Sequence, residues 1–318
     1  MTDRASSPHT AVVLMAYGTP RTRDEILPYY TDIRRGRPPT DEQLAELVAR
    51  YEAIAPPGGD MLSPLAARTE AQRDALQSAL DTIAPGEFHV VLGLKHAAPS
   101  IETAVTDVVA AGFRRIVGLV LAPHYSGFSI GQYLDRVRAA AAPHDVEVSG
   151  IESWATEPAF VSFLASDLRA RLASMPVDTK VVFTAHSLPQ RIVAAGDPYP
   201  EQLRATAEAV AAAVGLGRWS GWSVSWQSAG RTPEPWLGPD VLQVIDDLAA
   251  SENDADHERG LVVCACGFVA DHLEVLYDLD IEAAHRATER GLRFARTACV
   301  NDDADVMAAL ARRVVAGS

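Results

Sequence analysis

The chain has 318 residues, 48% of them hydrophobic, with 42 acidic against 28 basic side chains and a net charge of −14. A chain of this length and apolar content can bury a large core, as two domains of about 150 residues each, which excludes small disulfide-held and disordered classes. No run of eighteen apolar residues could span a bilayer, Thr2 to Pro8 lack the regions of a signal peptide, and no long basic patch could collect phosphates, so a soluble cytoplasmic protein without nucleic acid is expected.

In chain order, Ala11 to Met15 is a short apolar run that predicts a buried strand, left through the turn Ala16 to Pro20. Helical periodicity covers about Asp24 to Ile33 and Asp41 to Ile54, until Pro56 to Gly59 interrupts it; a third helix begins near Ser63 and Pro64. Phe88 to Leu94 predicts the second strand, with a helix from Ser100, which can cap it. Ile116 to Leu121 predicts the third strand, Ile130 to Ala142 a helix, and Val146 to Ile151 the fourth strand.

The rhythm then repeats. A helix over Pro158 to Leu172 precedes the strand Lys180 to Ala185, and an Ala-rich helix from Glu201 to Val214 is closed by Gly215. Trp222 to Gln227 alternates as a strand, a helix follows Asp240 to about Ala250, and Leu261 to Cys266 is the last apolar strand. Alternating strands and helices predict parallel βαβ units, here an α/β fold of two doubly wound domains with a crevice between them. No GxGxxG or GxxxxGK[ST] occurs, so neither a dinucleotide nor a P-loop site is supported.

Cys264 and Cys266 alternate, so both thiols are expected on one side of the strand; with Cys299 as the only other cysteine, small buried hydrophobes fit better than a metal cluster. His186 follows a strand and enters a turn held by Pro189, at the sheet edge where open α/β folds keep their ligands. It is either a satisfied structural histidine or a ligand. Glu274, Asp278 and Glu282 recur at i, i+4 and i+8, which on a helix lines up their carboxylates as either a solvated face or a track for cations. Nitrogen from His186 and oxygen from Glu274 suit Fe²⁺ or Zn²⁺ better than Mg²⁺ or Ca²⁺. The cluster Arg34, Arg35 and Arg37 is either a solvated helix end or a bidentate site for ligand carboxylates. The Pro-rich loop Trp226 to Asp240 is either a rigid connector or a grip for a flat ligand.

Several stretches carry a family resemblance: Ala16-Tyr17-Gly18-Thr19-Pro20, Ile33-Arg34-Arg35-Gly36-Arg37, Arg50-Tyr51-Glu52-Ala53-Ile54, Ser63-Pro64-Leu65, Gly93-Leu94-Lys95-His96, Leu121-Ala122-Pro123-His124, Ala185-His186-Ser187-Leu188-Pro189, Pro235-Trp236-Leu237-Gly238-Pro239-Asp240 and Gly267-Phe268-Val269-Ala270-Asp271-His272-Leu273-Glu274. In this order they resemble the ferrochelatases, in detail those of Gram-positive bacteria, which act on coproporphyrin III rather than protoporphyrin IX. The resemblance implies a chelatase-like fold of two Rossmann-like domains with a porphyrin cleft between them. Residues 1–153 would hold the porphyrin and residues 154–318 would carry the metal-insertion residues, the final helix being free to pack back on the first domain.

Carried over by the same resemblance, His186 and Glu274 match the metal-insertion pair, and Asp278 and Glu282 the acidic track that feeds it. Tyr17 matches the tyrosine that can ligate the product iron, while Arg34, Arg50, Tyr51, Ser63 and Tyr133 match positions that hold the macrocycle and its propionates. The expected partners are the porphyrin and Fe²⁺, with a monomeric protein and at most transient contact with other haem-pathway enzymes. Some relatives hold a [2Fe–2S] cluster on four cysteines; Ile130 and the short tail offer none of those thiols, so no cofactor beyond the substrate iron is expected. An insertion at Pro56 to Leu62 departs from the family pattern before Ser63. The alternatives are a protoporphyrin IX ferrochelatase, a chelatase for cobalt or nickel, and a tetrapyrrole- or haem-binding protein without turnover. The last would need Tyr17 and the arginines but not the acidic track.

Overall fold

The computed structural model describes residues 9–56, 63–217, 221–230, 232–251 and 258–318. These fall into two compact units: the described residues up to Pro123 with Gly127–Trp154 and Asn301–Ser318, and those of His124–Ser126 with Ala155–Val300. The inserted residues 57–62 lie outside the described residues. No described helix is long and apolar enough to cross a membrane.

The first unit is built on β1 (Thr10–Ala16), all seven residues of which are buried. Such an unbroken apolar run is what a strand covered on both faces requires. Then follow α1 (Ile26–Ile33), α2 (Asp41–Ile54), α3 (Leu65–Ile83), β2 (Phe88–Leu94), α4 (Ile101–Ala110), β3 (Arg115–Val120), α5 (Ile130–Ala141) and β4 (Glu147–Ile151). All pairings in the sheet are parallel, in the order β2-β1-β3-β4, with Val12 level with Val90 and Val117. Local chemistry sets the helix starts: Thr40 and Gln43 form a reciprocal capping box for α2, and Ser100 accepts from the Thr103 amide to open α4.

The second unit repeats the plan with α6 (Pro158–Leu172), β5 (Asp178–His186), α7 (Gln190–Ala194), α8 (Tyr199–Val214), β6 (Trp222–Gln227), α9 (Val241–Ala250) and β7 (Arg259–Cys264). It ends with α10 (Leu273–Leu276), a π-helical turn over Asp278–Ala283, α11 (Ala284–Glu289) and β8 (Leu292–Arg296). The sheet is again wholly parallel, in the order β6-β5-β7-β8. In each sheet the chain leaves its first strand for one side and returns on the other. The switch points therefore lie between β1 and β3 and between β5 and β7, where such folds bind ligands beyond the carboxyl ends of the strands.

The last predicted strand stops earlier than its apolar run. β7 ends at Cys264, because the Cys266 amide turns back to the Cys264 carbonyl at 2.8 Å; both thiols are buried, with Cys266 in the turn that follows the strand. The C-terminal helix α12 (Ala304–Ala316) belongs to the first unit. It packs on α3, with Val306, Met307, Leu310 and Val314 buried, and the Gln72 side chain donates to the Asn301 carbonyl at 2.9 Å where the chain enters it.

Candidate active site

In the second unit, the switch between β5 and β7 is bordered by His186, the last residue of β5, and by the turn after β7. Gly267 lets that turn close on β5: a Cβ there would stand 2.4 Å from the Ala185 Cβ, and its amide donates to the Thr184 carbonyl at 2.9 Å. The partly exposed His186 Nε2 lies 3.8 Å from Glu274 Oε1. Its Nδ1 lies 2.5 Å from the Ser187 carbonyl oxygen. A carbonyl only accepts, so Nδ1 carries the hydrogen, and in the neutral ring the lone pair of Nε2 faces the carboxylate. Both partners are tied down from behind: Tyr199 Oη donates to the His186 carbonyl at 3.1 Å, and Gln227 Nε2 to the Glu274 carbonyl at 2.8 Å.

The acidic segment departs from the regular helix its spacing predicts. After α10 the Glu282 amide bonds the Tyr277 carbonyl at 2.9 Å, an i to i+5 bond of a π turn, a form that recurs at functional sites. Asp278 is buried and accepts from Ser228 Oγ at 2.6 Å; Glu282 is exposed. Among the described residues no three His, Cys, Asp or Glu side chains stand close enough together to hold a metal ion. Glu274, Asp278 and Glu282 thus do not form one closed cage. Next to them His272 donates Nδ1–H to the Ala270 carbonyl at 2.9 Å and packs on Phe268, and burial lowers its pKa, favouring the neutral ring. Burial likewise pushes the thiols of Cys266 and Cys299 up, which makes them inert structural groups.

In the first unit, Tyr17 follows β1 and is 43% exposed. Gly18, at φ +90°, approaches so closely that a Cβ would lie 2.7 Å from the Ala97 Cβ, and the His96 amide donates to the Tyr17 carbonyl at 2.9 Å. The rings of Tyr17 and His96 lie 4.6 Å apart, and His96 Nδ1 is 2.6 Å from Asp32 Oδ2. Lys95 Nζ sits 5.0 Å over the buried Tyr133 ring and donates to Gln132 at 3.1 Å. Burial, with Arg136 and Arg35 nearby, lowers the Lys95 pKa. Arg136 forks onto Glu102 with two bonds of 2.7 Å, which holds that carboxyl down at about 2.

Tyr51 is buried with its Oη 3.4 Å from Thr19 Oγ1, and Ser63 is buried with its Oγ accepting from the Leu65 amide at 3.3 Å, opening α3. Arg50 is half-buried near the end of α2. Arg34 closes α1, its guanidinium 5.6 Å over the Tyr30 ring and bonded to the Arg37 carbonyl at 3.2 Å. Arg35 and Gly36, both left-handed, make the turn.

The structure thus brings His186 to Glu274, and Tyr17 to His96 and Asp32. Lys95 and His96 carried the signal that singled out His186, polar residues directly after an apolar strand beside the central one. Arg136 and Glu102, or Ser228 and Asp278, gave no comparable signal, because nothing in local periodicity relates residues on separate elements.

Chelatases of known structure share this architecture. SirB from Bacillus subtilis with Fe³⁺ matches with a TM-score of 0.56 and 14% identity over 96% of this chain and 94% of its own. CbiX, described as the terminal enzyme for biosynthesis of siroheme in denitrifying bacteria, gives 0.52 and 12% over 97% and 98%. The fold is chelatase-like, with two Rossmann-like units.

Sequence comparison is narrower. The family model Ferrochelatase matches residues 9–317. The ferrochelatase of Herpetosiphon aurantiacus is 42% identical over 303 residues, 93% of this chain and 95% of that protein. The coproporphyrin III ferrochelatases of Geobacillus kaustophilus and Geobacillus thermodenitrificans are each 44% identical, over 314 and 310 residues, covering 96% of this chain and 94% of each protein. This chain belongs to the ferrochelatase family, enzymes that insert metal into a porphyrin.

Proposed function

We propose that this enzyme inserts Fe²⁺ into coproporphyrin III to give Fe-coproporphyrin III in haem biosynthesis, as a cytoplasmic monomer with no cofactor beyond the iron it consumes. The observation that carries this reading is the His186 and Glu274 pair, whose facing atoms are an imidazole lone pair and a carboxylate oxygen. Metallation removes two pyrrole protons as iron gains four nitrogen ligands. His186 Nε2 accepts the two protons one after the other, and Glu274 stabilises the imidazolium each time and passes each proton on to solvent, so that the ring is neutral again for the second. Asp278 and Glu282 offer oxygen ligands that iron exchanges on its way in, suited to a metal that must bind weakly enough to leave. The names of the two Geobacillus relatives support coproporphyrin as the substrate.

In this reading Tyr17 is the axial ligand of the product iron, and Arg34, Arg50, Tyr51, Ser63 and Tyr133 hold the macrocycle and its propionates. Guanidinium groups match carboxylates two bonds at a time, which supports the two arginines in that task.

The test is anaerobic insertion of Fe²⁺ into coproporphyrin III and, in parallel, protoporphyrin IX, followed by loss of the free-porphyrin absorption bands. Turnover of coproporphyrin that disappears in His186→Ala is the expected result. Preference for protoporphyrin would reverse the substrate assignment, and tight binding of either porphyrin without turnover would point to a haem-handling protein.

A further inference from the structure

We propose that Arg296 is a positioning residue for iron handling, a guanidinium clamp on both flanks of Glu274 that fixes where this carboxylate stands relative to His186. The proposal rests on the metal-insertion reading of that pair. Between Asp271 and Glu282 the chain carries five carboxylates, Asp271, Glu274, Asp278, Asp280 and Glu282, and no lysine or arginine. Like charges at such spacings repel, so the segment needs positive charge from elsewhere in the fold.

Arg296, at the end of β8, supplies it. Its Nε and Nη2 donate to Asp280 Oδ1 and Oδ2 at 2.6 and 2.8 Å, Nη2 also reaches Asp271 Oδ1 at 3.4 Å, and Nη1 donates to the Thr297 carbonyl at 3.0 Å. The side chain is only 16% exposed, so these bonds are poorly screened. Asp271 lies before Glu274 and Asp280 within the π turn after it. One planar group therefore holds the segment on both sides of the carboxylate.

Packing does not do this alone. Val275, Leu279 and Ala283 anchor the inner face of the segment in the core of the unit. An apolar stripe turns one face of a helix to the core but places no restraint of its own on the charged side chains of the opposite face. The outer side borders a pocket of about 490 Å³ lined by Asp271, Asp280, Arg296, Arg171 and Phe294, so no core side chain replaces the clamp there. A lysine keeps the charge but lacks the fork that grips two carboxylates at once.

The experiment compares Arg296→Gln and Arg296→Lys with the wild type, varying Fe²⁺ at saturating porphyrin and porphyrin at saturating Fe²⁺. Partners that orient metal-handling groups typically contribute about 10- to 100-fold. Arg296→Gln is expected to lose kcat in that range and to raise KM for Fe²⁺ with KM for porphyrin unchanged, and Arg296→Lys to recover little of the loss. A merely structural role would lower the folded fraction and leave both KM values alone. Wild-type kcat and KM for Fe²⁺ in the Gln variant, or full rescue by Lys, would overturn the clamp. Should Arg296→Gln not fold, Asp280→Asn removes one arm and is judged by the same criteria. Wild-type turnover of each porphyrin is measured first, so a wrong substrate assignment shows up separately. Calorimetric Co²⁺ binding without porphyrin then tests the clamp alone: unchanged affinity in Arg296→Gln would overturn it, weakened affinity would support it.

Discussion

Histidines in this chain take opposite roles from the same ring chemistry. At His186 the Ser187 carbonyl holds Nδ1–H, so the free lone pair sits on the partly exposed Nε2 beside Glu274. At His124, which is 2% exposed, Nε2 lies 2.8 Å from Thr206 Oγ1, and that hydroxyl lies 2.7 Å from the Ala155 carbonyl as donor. The hydroxyl has one hydrogen, so the imidazole donates and its Nδ1 is buried without a partner. Burial drops the His124 pKa from 6.5 to about 3. The folded protein thus binds this proton less readily than the unfolded chain, and the stability from keeping the ring neutral is lost as the pH falls below 6.5. The loss accrues at about 1.4 kcal/mol per pH unit, reaching roughly 2 kcal/mol at pH 5. Urea unfolding of His124→Gln should show a drop between pH 7 and 5 that is smaller by about that amount; an identical drop would mean His124 does not titrate this way.

At the scale of elements, a regular helix and an irregular one stand in contrast. α12 is an ordinary amphipathic helix, opened by Asp303 accepting from the Asp305 and Val306 amides, each at 3.1 Å, and its apolar stripe closes the first unit against α3. Leu310 is fully buried on that stripe, so Leu310→Ala should destabilise the protein by about 2–5 kcal/mol in denaturant unfolding. A loss below about 1 kcal/mol would show that the helix is not integral to the unit. The segment from α10 to α11 trades regularity for placement. Its spacing of acids promised a ladder on one face, but the π turn buries Asp278 beside Ser228 and leaves Glu282 in solvent. Sequence periodicity could not foresee this, because the choice between i to i+4 and i to i+5 bonding is made by what surrounds the helix.

For the molecule as a whole, the net charge of −14 attracts ferrous iron and repels a tetra-anionic porphyrin. Encounter with coproporphyrin should therefore quicken as salt screens the long-range field, the Debye length shrinking to about 8 Å at physiological ionic strength. Stopped-flow association should rise with salt, and Arg34→Ala should raise KM for coproporphyrin; a rate that falls with salt, or unchanged KM in the variant, would remove the respective claim. Apolar runs such as Thr10–Ala16 and the helical repeats between them were enough to predict two sets of parallel βαβ units, because a strand covered on both faces and a helix covered on one leave different periods in the chain. His186 was legible as a candidate for a related reason, since it ends a strand and strand-end residues fall at the ligand edge of such sheets, whereas Glu274, on α10, was paired with it through the motif resemblance.

What only the tertiary structure decided are the pairings across long separations: Arg296 with Asp271 and Asp280, His96 with Asp32, Arg136 with Glu102, and α12 with α3. Each joins side chains from different elements. Hydrophobic periodicity specifies which face of an element is covered, and the partner that a charged side chain meets there is chosen only when the faces pack.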